Sequence, residues 1–420
     1  VNIWSFSASH RDLDLDLLER LGLVGPGLAR DVVAPAPGRG VPGTGDAPTS
    51  GADAPAARGA VVLTTCNRVE VYVEADGAAE ATARVEEVVG ATTGLPRHAV
   101  AAALTRRADG DAARHLLRVA SGLESMVVGE REIAGQVRRA AVRARALGTS
   151  TPALDLLFEQ ASRTSRRVEV ATGLGTVGRS VVGVGLDLAG ASLPPWRQVR
   201  AVLVGTGSYA GAAFAALRSR GVLDVRVHSR SGRAEDFASA RGGVAVDGDG
   251  LVDAVADADL VVSCSGRVGH VLDAAGVAAA RERATDRAER LAHEPDPLGR
   301  PLVILDLALR RDVDSAVGDV DGVLLLDLAT IGAHAPAAGA GPVAQADALV
   351  TDGLDELARR ELRRRVDAAV REEALALTAV AEREASVASR EPRAARREAF
   401  ARRHAALLAA KAAAVARLAR

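Results

Sequence analysis

The chain has 420 residues, 53 Lys+Arg against 54 Asp+Glu and 48% hydrophobic content, the balance of a globular protein of two or three domains with no global charge bias toward nucleic acid. Lys411, in the Ala-rich tail, is the single lysine, which excludes a Schiff-base enzyme and a lysine-dependent phosphate loop. Two cysteines and no His-Glu-x-x-His pattern exclude a disulfide framework and a Cys-rich zinc cluster, and no metal is expected.

No apolar run reaches the ~18 residues of a membrane span, and the first twenty residues carry no signal-peptide pattern. A cytoplasmic protein without membrane contact is expected.

Residues 2–8 read as a strand, and Leu13, Leu17, Leu18 and Leu21 have helical spacing. Residues 31–60, rich in Pro and Gly, are expected to form a disordered loop inside a domain. Strands are predicted at 61–63 and 69–74, the second with Val69, Val71 and Val73 inward as a half-buried strand. The pattern from Asp111 to Leu147 is helical, and a second helix follows from Pro152 to about Thr172. After Pro194-Pro195, strands at 200–205, 225–228, 260–263, 303–306 and 322–326 alternate with helical or loop stretches, a βαβ series and hence a parallel sheet. Beyond a break at 333–342 the Ala, Arg, Glu and Leu composition is helical, interrupted by Pro392, and fits a partner-binding bundle.

Three constellations could carry chemistry. Gly205-x-Gly207-x-x-Ala210, between a buried strand and a helix, has the form of a dinucleotide fingerprint, with Thr206, Ser208 and Tyr209 as its variable positions. At the end of the next strand, where an NAD-specific site presents a carboxylate, Arg230 and Arg233 could instead grip a 2′-phosphate, favouring NADPH; the alternative is that both are solvated loop residues. The second is Thr64-Thr65-Cys66-Asn67-Arg68-Val69-Glu70, where Cys66 beside a guanidinium suits thiolate chemistry, although a lone Cys can equally be a small buried hydrophobe. Cys264, at a strand end, reads as structural. The third is residues 125–136: if helical, Ser125, Glu132 and Gln136 share one face, with Gly129 and Gly135 suggesting close approach by another group and His115 near the same face. Such a face can also be merely solvated.

Together these blocks resemble the glutamyl-tRNA reductase family, through Thr-Thr-Cys-Asn-Arg-Val-Glu at 64–70, His115, Ala-Ser-Gly-Leu-Glu-Ser at 120–125, Val-Gly-Glu at 128–130, Gly135-Gln136 and the loop at 205–210, with Ser9-His10-Arg11 similar to the family's opening. The resemblance covers roughly residues 1–330. It implies an α/β multidomain fold: an α+β catalytic domain (1–158), a long connecting helix (159–193), a Rossmann NADPH domain (194–334) and a helical dimerisation domain (335–420). It implies NADPH-dependent reduction of glutamyl-tRNA to glutamate-1-semialdehyde through a Cys66 thioester, with His115 critical for activity. Thr65, Asn67, Arg68, Ser125, Glu130, Arg131, Glu132 and Gln136 fall at its substrate positions, and Arg68 would pair with the glutamate carboxylate. A homodimer and handover to an aminomutase are implied as partners.

The chain departs from the family at Glu132, where Gln is usual, and in the apparent insertions at 31–60 and 285–300. A degenerate NADPH-binding paralogue and a tRNA-independent dehydrogenase of a small metabolite are the alternatives.

Overall fold

The computed structural model describes residues 2–35 apart from 14 and 26, then 57–65, 68–174, 180–265, 269–290, 300–308, 311–335 and 337–387, and scattered positions from 401 to 412. Chain contacts separate residues 351–420, grouped with Val1, from residues 2–350.

The first layer of the larger unit is an antiparallel sheet. β1 (Ile3–Ser9) lies between β3 (Arg68–Glu74) and β4 (Thr105–Ala108), with β2 (Gly59–Thr64) outside β3. Before β2 come two short helices, α1 (Leu15–Leu21) and α2 (Leu28–Val33); α3 (Ala78–Thr93) and α4 (Arg97–Ala103) lie between β3 and β4. Val69, Val71 and Val73 of β3 join Phe6 and Ala8 of β1 and residues of α1 to α4 in one core.

The opposite face of β3 is buried as well, beneath α5 (Asp109–Ala120) and α7 (Pro152–Thr172), so the strand is not half-buried as its alternation suggests. Tyr72 stacks edge-on against Phe158 there, with ring centroids 5.4 Å apart. α7 begins sharply because Thr151 Oγ1 accepts from the Leu154 amide and Pro152 occupies the first turn.

The continuous helix expected from 111 to 147 is two helices. α5 ends at Ala120, residues 121–131 form turns, and α6 (Glu132–Leu147) begins only at Glu132. Gly122 at φ +73° and Gly129 at φ +88° make the break, since a left-handed backbone cannot continue a right-handed helix. Over the stretch read as a connecting helix, α7 stops at Gly173 (φ +63°), and α8 (Val181–Gly190) starts with Ser180 Oγ accepting from the Gly183 amide.

The second layer is a six-stranded parallel sheet. Its strands are β5 (Arg200–Val204), β6 (Asp224–His228), β7 (Val244–Val246), β8 (Leu260–Ser263), β9 (Leu302–Asp306) and β10 (Val323–Leu326), in spatial order β10-β9-β8-β5-β6-β7. The order reverses between β5 and β8, which leaves a crevice beyond their carboxyl ends. One face is packed by α8, by α9 (Ser208–Ser219) and α10 (Ala234–Ser239), and by α13 (Leu328–Ala333); Met126 and Val127 of the 121–131 turns reach into the same cluster. The other face is packed by α11 (Leu251–Ala256) and α12 (Ala274–Arg290).

In the region read as a disordered loop, α2 runs to Val33 and β2 starts at Gly59; residues 36–56 lie outside the described residues, as do 291–299 of the second apparent insertion. α14 (Ala340–Val387) carries the chain into residues 351–420, where Glu361 accepts two hydrogen bonds from Arg364 at 2.8 Å. Among the described residues no helix is long and apolar enough to cross a membrane, and no group of His, Cys, Asp or Glu could hold a metal ion.

Candidate active site

Cys66 and Asn67, which follow β2 and precede β3, lie outside the described residues. Their flanks are joined: the Thr65 amide donates to the Arg68 carbonyl at 3.0 Å. From Arg68 onward, residues 68, 70 and 72 share one face of β3, because side chains of a strand alternate. That face carries a charge network. Arg68 Nη1 donates to Glu70 Oε1 at 2.8 Å and Nη2 to the Glu124 carbonyl at 2.5 Å. Tyr72 Oη donates to Glu70 Oε2 at 2.6 Å, and His115 Nε2, from α5, lies 3.1 Å from Glu70 Oε1.

Glu70 has no exposed surface and Arg68 only 2%. Burial alone would raise the Glu70 pKa, but the charges of His115 and Arg68 and the hydrogen bonds from His115 and Tyr72 outweigh it and hold the carboxyl far below the usual range. Burial and the Glu70 charge push the Tyr72 phenol up, so it remains a donor. Glu124 anchors the rim by accepting from Arg11 Nη1 at 2.5 Å and Arg118 Nε at 2.6 Å.

Glu70, Tyr72 and Glu124 were not singled out by sequence reasoning, although the i, i+2 spacing of Arg68, Glu70 and Tyr72 marks a shared strand face. Ser125 is buried in the turn after α5, with its carbonyl accepting from Arg11 Nη2 at 3.4 Å. It therefore shares no helical face with Glu132 and Gln136, which sit half-buried in the first turns of α6. Gly129 does meet a close neighbour: a Cβ there would lie 2.6 Å from the Leu174 carbonyl oxygen. Gly135 does not, since only the side chain of Arg139, one helical turn on, approaches it.

Behind this turn is a cavity of about 220 Å³ lined by Ser121, Glu130, Arg131 and Ala134 on one side and by Ser165 and Glu169 of α7 on the other. Arg131 pairs with Glu169 at its edge. Ser121 Oγ and Glu130 Oε1 are buried there without a hydrogen-bond partner. Burial, and secondarily the charge of Glu132, push the Glu130 pKa up to about 7, against a hydrogen bond from the Val181 amide, the Arg68 charge and the Tyr209 hydroxyl. Val181 and Tyr209 belong to α8 and α9, so Glu130 ties the 121–131 turns to the nucleotide layer.

The crevice beyond β8, β5 and β6 is a cleft of about 400 Å³, lined among others by Gly205, Thr206, Gly207, Arg230, Arg233 and Ser265. Gly205 has φ +118°, and a Cβ on it would press within 3.1 Å of the Cys264–Ser265 backbone. A Cβ on Gly207 would stand in open space, so this side of the loop is free for a pyrophosphate to approach the backbone at the start of α9. The loop thus fits a dinucleotide. Thr206, Ser229 and Ser231 hydroxyls form a chain along its edge, at 3.4 and 2.9 Å. Arg230 and Arg233 are exposed at the mouth; Arg230 donates to the Gly269 carbonyl at 3.2 Å and Arg233 to Ser231 Oγ at 3.0 Å.

Ser208 begins α9, while Tyr209 and Ala210 face inward, with Ala210 fully buried in the core. Cys264 is buried, donates to the Val204 carbonyl at 3.4 Å and has its thiol pKa pushed up by burial and by Asp312 and Asp306, as suits a structural cysteine.

A family model described as glutamyl-tRNA(Glu) reductase, N-terminal domain, matches residues 7–172, and one described as shikimate/quinate 5-dehydrogenase matches residues 187–332. The chain is 42% identical over 385 residues to the glutamyl-tRNA reductase of Micrococcus luteus, spanning 88% of this chain and 78% of the relative. It is 39% identical over 373 residues to that of Pseudarthrobacter chlorophenolicus, spanning 88% and 77%. Among solved structures, the glutamyl-tRNA reductase from Methanopyrus kandleri superimposes with a TM-score of 0.50 and 26% identity, over 98% of this chain and 94% of its own.

Proposed function

The chain belongs to the glutamyl-tRNA reductase family, and from that premise we propose that it reduces glutamyl-tRNA to glutamate-1-semialdehyde through a thioester on Cys66 with NADPH as reductant, the first step of five-carbon tetrapyrrole synthesis. The observation that carries the reading is the buried network of Arg68, Glu70, Tyr72 and His115 that begins two residues after Cys66.

In this reaction the Cys66 sulfur bonds to the acyl carbon, the ester C–O bond breaks, and the 3′ oxygen of the tRNA leaves with a proton. Nearby positive charge favours the thiolate, and the Arg68 guanidinium stands beside the β2–β3 connection. Glu70 fixes this group and His115, and with Nη1 on Glu70 and Nη2 on the Glu124 carbonyl Arg68 anchors the strand that leads from Cys66. Thr65 and Asn67, either side of Cys66, are placed in sequence to orient the acyl group, and Ser125 and Arg131 of the 121–131 turns with Glu132 and Gln136 of α6 would contact the substrate.

NADPH, when bound, supplies a hydride to the acyl carbon, restoring the thiol and freeing the aldehyde. Gly205, Thr206 and Gly207 would hold its pyrophosphate through the backbone at the start of α9, with Ser208, Tyr209 and Ala210 shaping that turn, and Arg230 and Arg233 would hold the 2′-phosphate. The exposed Leu362, Leu375 and Leu408 of residues 351–420 suit a dimer contact, and the reactive aldehyde suits transfer to an aminomutase.

The test is NADPH oxidation by purified protein with charged and uncharged tRNA(Glu). Oxidation is expected only with the charged form and is expected to vanish in Cys66→Ser. Oxidation without tRNA, or retained in Cys66→Ser, would overturn the reading.

A further inference from the structure

At the far wall of the nucleotide cleft, β8 and β9 end in polar groups that neither the glycine loop nor the arginines explain. Asp312 lies there with no exposed surface. Its carboxylate accepts from Ser263 Oγ at 2.9 Å, from the Ser265 amide at 2.6 Å and from Ser265 Oγ at 2.5 Å. Its main-chain carbonyl accepts from the Val271 and Leu272 amides at 2.6 and 3.1 Å, and Leu272 bridges to Val313. Asp306, at the end of β9, completes the frame by accepting from the Ala308 and Val313 amides at 3.1 and 3.0 Å.

Ser265 and Val271, both held by Asp312, line the cleft. Gly269 and His270, just before Val271, present the carbonyls to which Arg230 donates from the opposite side. One residue therefore joins two stretches of the wall, and the second of these carries the partner of Arg230.

We propose that Asp312 is a positioning residue for the bound dinucleotide, its carboxylate fixing Ser265 while its main-chain carbonyl holds the 269–272 segment, so that the cleft is preformed. Packing alone would be served better by an apolar side chain, because a buried carboxylate is costly to desolvate. Three donors on one carboxylate, two of them from the same residue, fix the direction of Ser265 as an apolar contact cannot. Asp306 supports the same frame: burial, then the negative charge of Asp312, push its pKa up to about 7, so it ionises reluctantly beside its neighbour.

The inference rests on the cleft being a nicotinamide dinucleotide site, and direct binding separates the two. Equilibrium titration of the full chain with NADPH and with NADH, without tRNA, gives both dissociation constants, and thermal melting reports the fold. Asp312→Asn should raise both constants about tenfold, the scale of one charged hydrogen bond. Arg230→Ala should weaken NADPH alone. Ser263→Ala, which removes a donor to the same carboxylate from a residue outside the cleft wall, should leave both constants within about twofold.

If Asp312→Asn lowers the melting temperature but leaves the dissociation constants of the folded protein unchanged, the carboxylate is structural only and the proposal is overturned. If that variant does not fold, Ser265→Ala decides: weaker binding of both dinucleotides supports the proposal and unchanged binding overturns it. Failure of the wild type to bind either dinucleotide overturns the reading of the cleft, and the role of Asp312 with it.

Discussion

Glu70 is the residue on which the candidate active site turns, because it holds Arg68, Tyr72 and His115 together with no exposure to water. Removing the charge while keeping the shape leaves the Arg68 guanidinium buried without its anion. Glu70→Gln should therefore lose about 3–5 kcal/mol at pH 7, read by urea unfolding. A carboxyl whose folded pKa is depressed contributes stability above its unfolded pKa and loses it as pH falls through the folded value. The deficit should thus narrow as pH drops below about 4; a deficit independent of pH would assign it to packing. Glu130 has the opposite sign. With its folded pKa raised to about 7, its contribution is complete below the ordinary carboxylate range and lost as pH rises through 7. Glu130→Gln should melt above the wild type at pH 8 by at least about 2–4 °C, the shift of one kcal/mol, and level with it at pH 4. An equal gap at both pH values would contradict burial as the cause. The sequence makes these two acids look alike. What separates them is the company each keeps in space: Glu70 is buried with His115, 45 positions along the chain, and Arg68, whereas Glu130 is buried with the charge of Glu132 nearby.

Elements that position the site depend on glycine backbone at a few points. Gly129 combines φ +88° with a Cβ position 2.6 Å from a carbonyl oxygen. Gly129→Ala should cost at least the ~1–3 kcal/mol of a strained left-handed residue. Gly135→Ala provides the contrast, since it lies inside α6 and its Cβ would touch only the end of a flexible arginine. There the better helix former should add about 0.5–1 kcal/mol. Equal effects in denaturant unfolding would show that the turn is not what Gly129 serves. The two glycines are indistinguishable in a pattern of apolar spacing, which is why a single helix from 111 to 147 reads naturally. Apolar spacing reports the buried side of a segment, and the Met126 and Val127 that sustain it pack against the nucleotide layer, not on a helix face. Short elements were hidden for a related reason. β7 has three residues and β4 four, too few for alternation to register.

At the scale of the whole molecule, the βαβ series from 200 onward was legible because buried parallel strands are continuous apolar runs separated by helices. The antiparallel layer was less so, since β3 is covered on both faces and its charged residues point into protein instead of solvent. The glycine loop could be placed from order alone, strand before and helix after, whereas Asp312 acquires meaning only when β8 and β9 lie side by side. The two layers meet through Glu130, Met126 and Val127. The most direct test is mass spectrometry of the protein after incubation with glutamyl-tRNA and no reductant. The account predicts a glutamyl adduct on the peptide containing residue 66, absent from Cys66→Ser and discharged as aldehyde when NADPH is added. An adduct on another residue, or turnover by wild type with no adduct on that peptide at any stage, would contradict it.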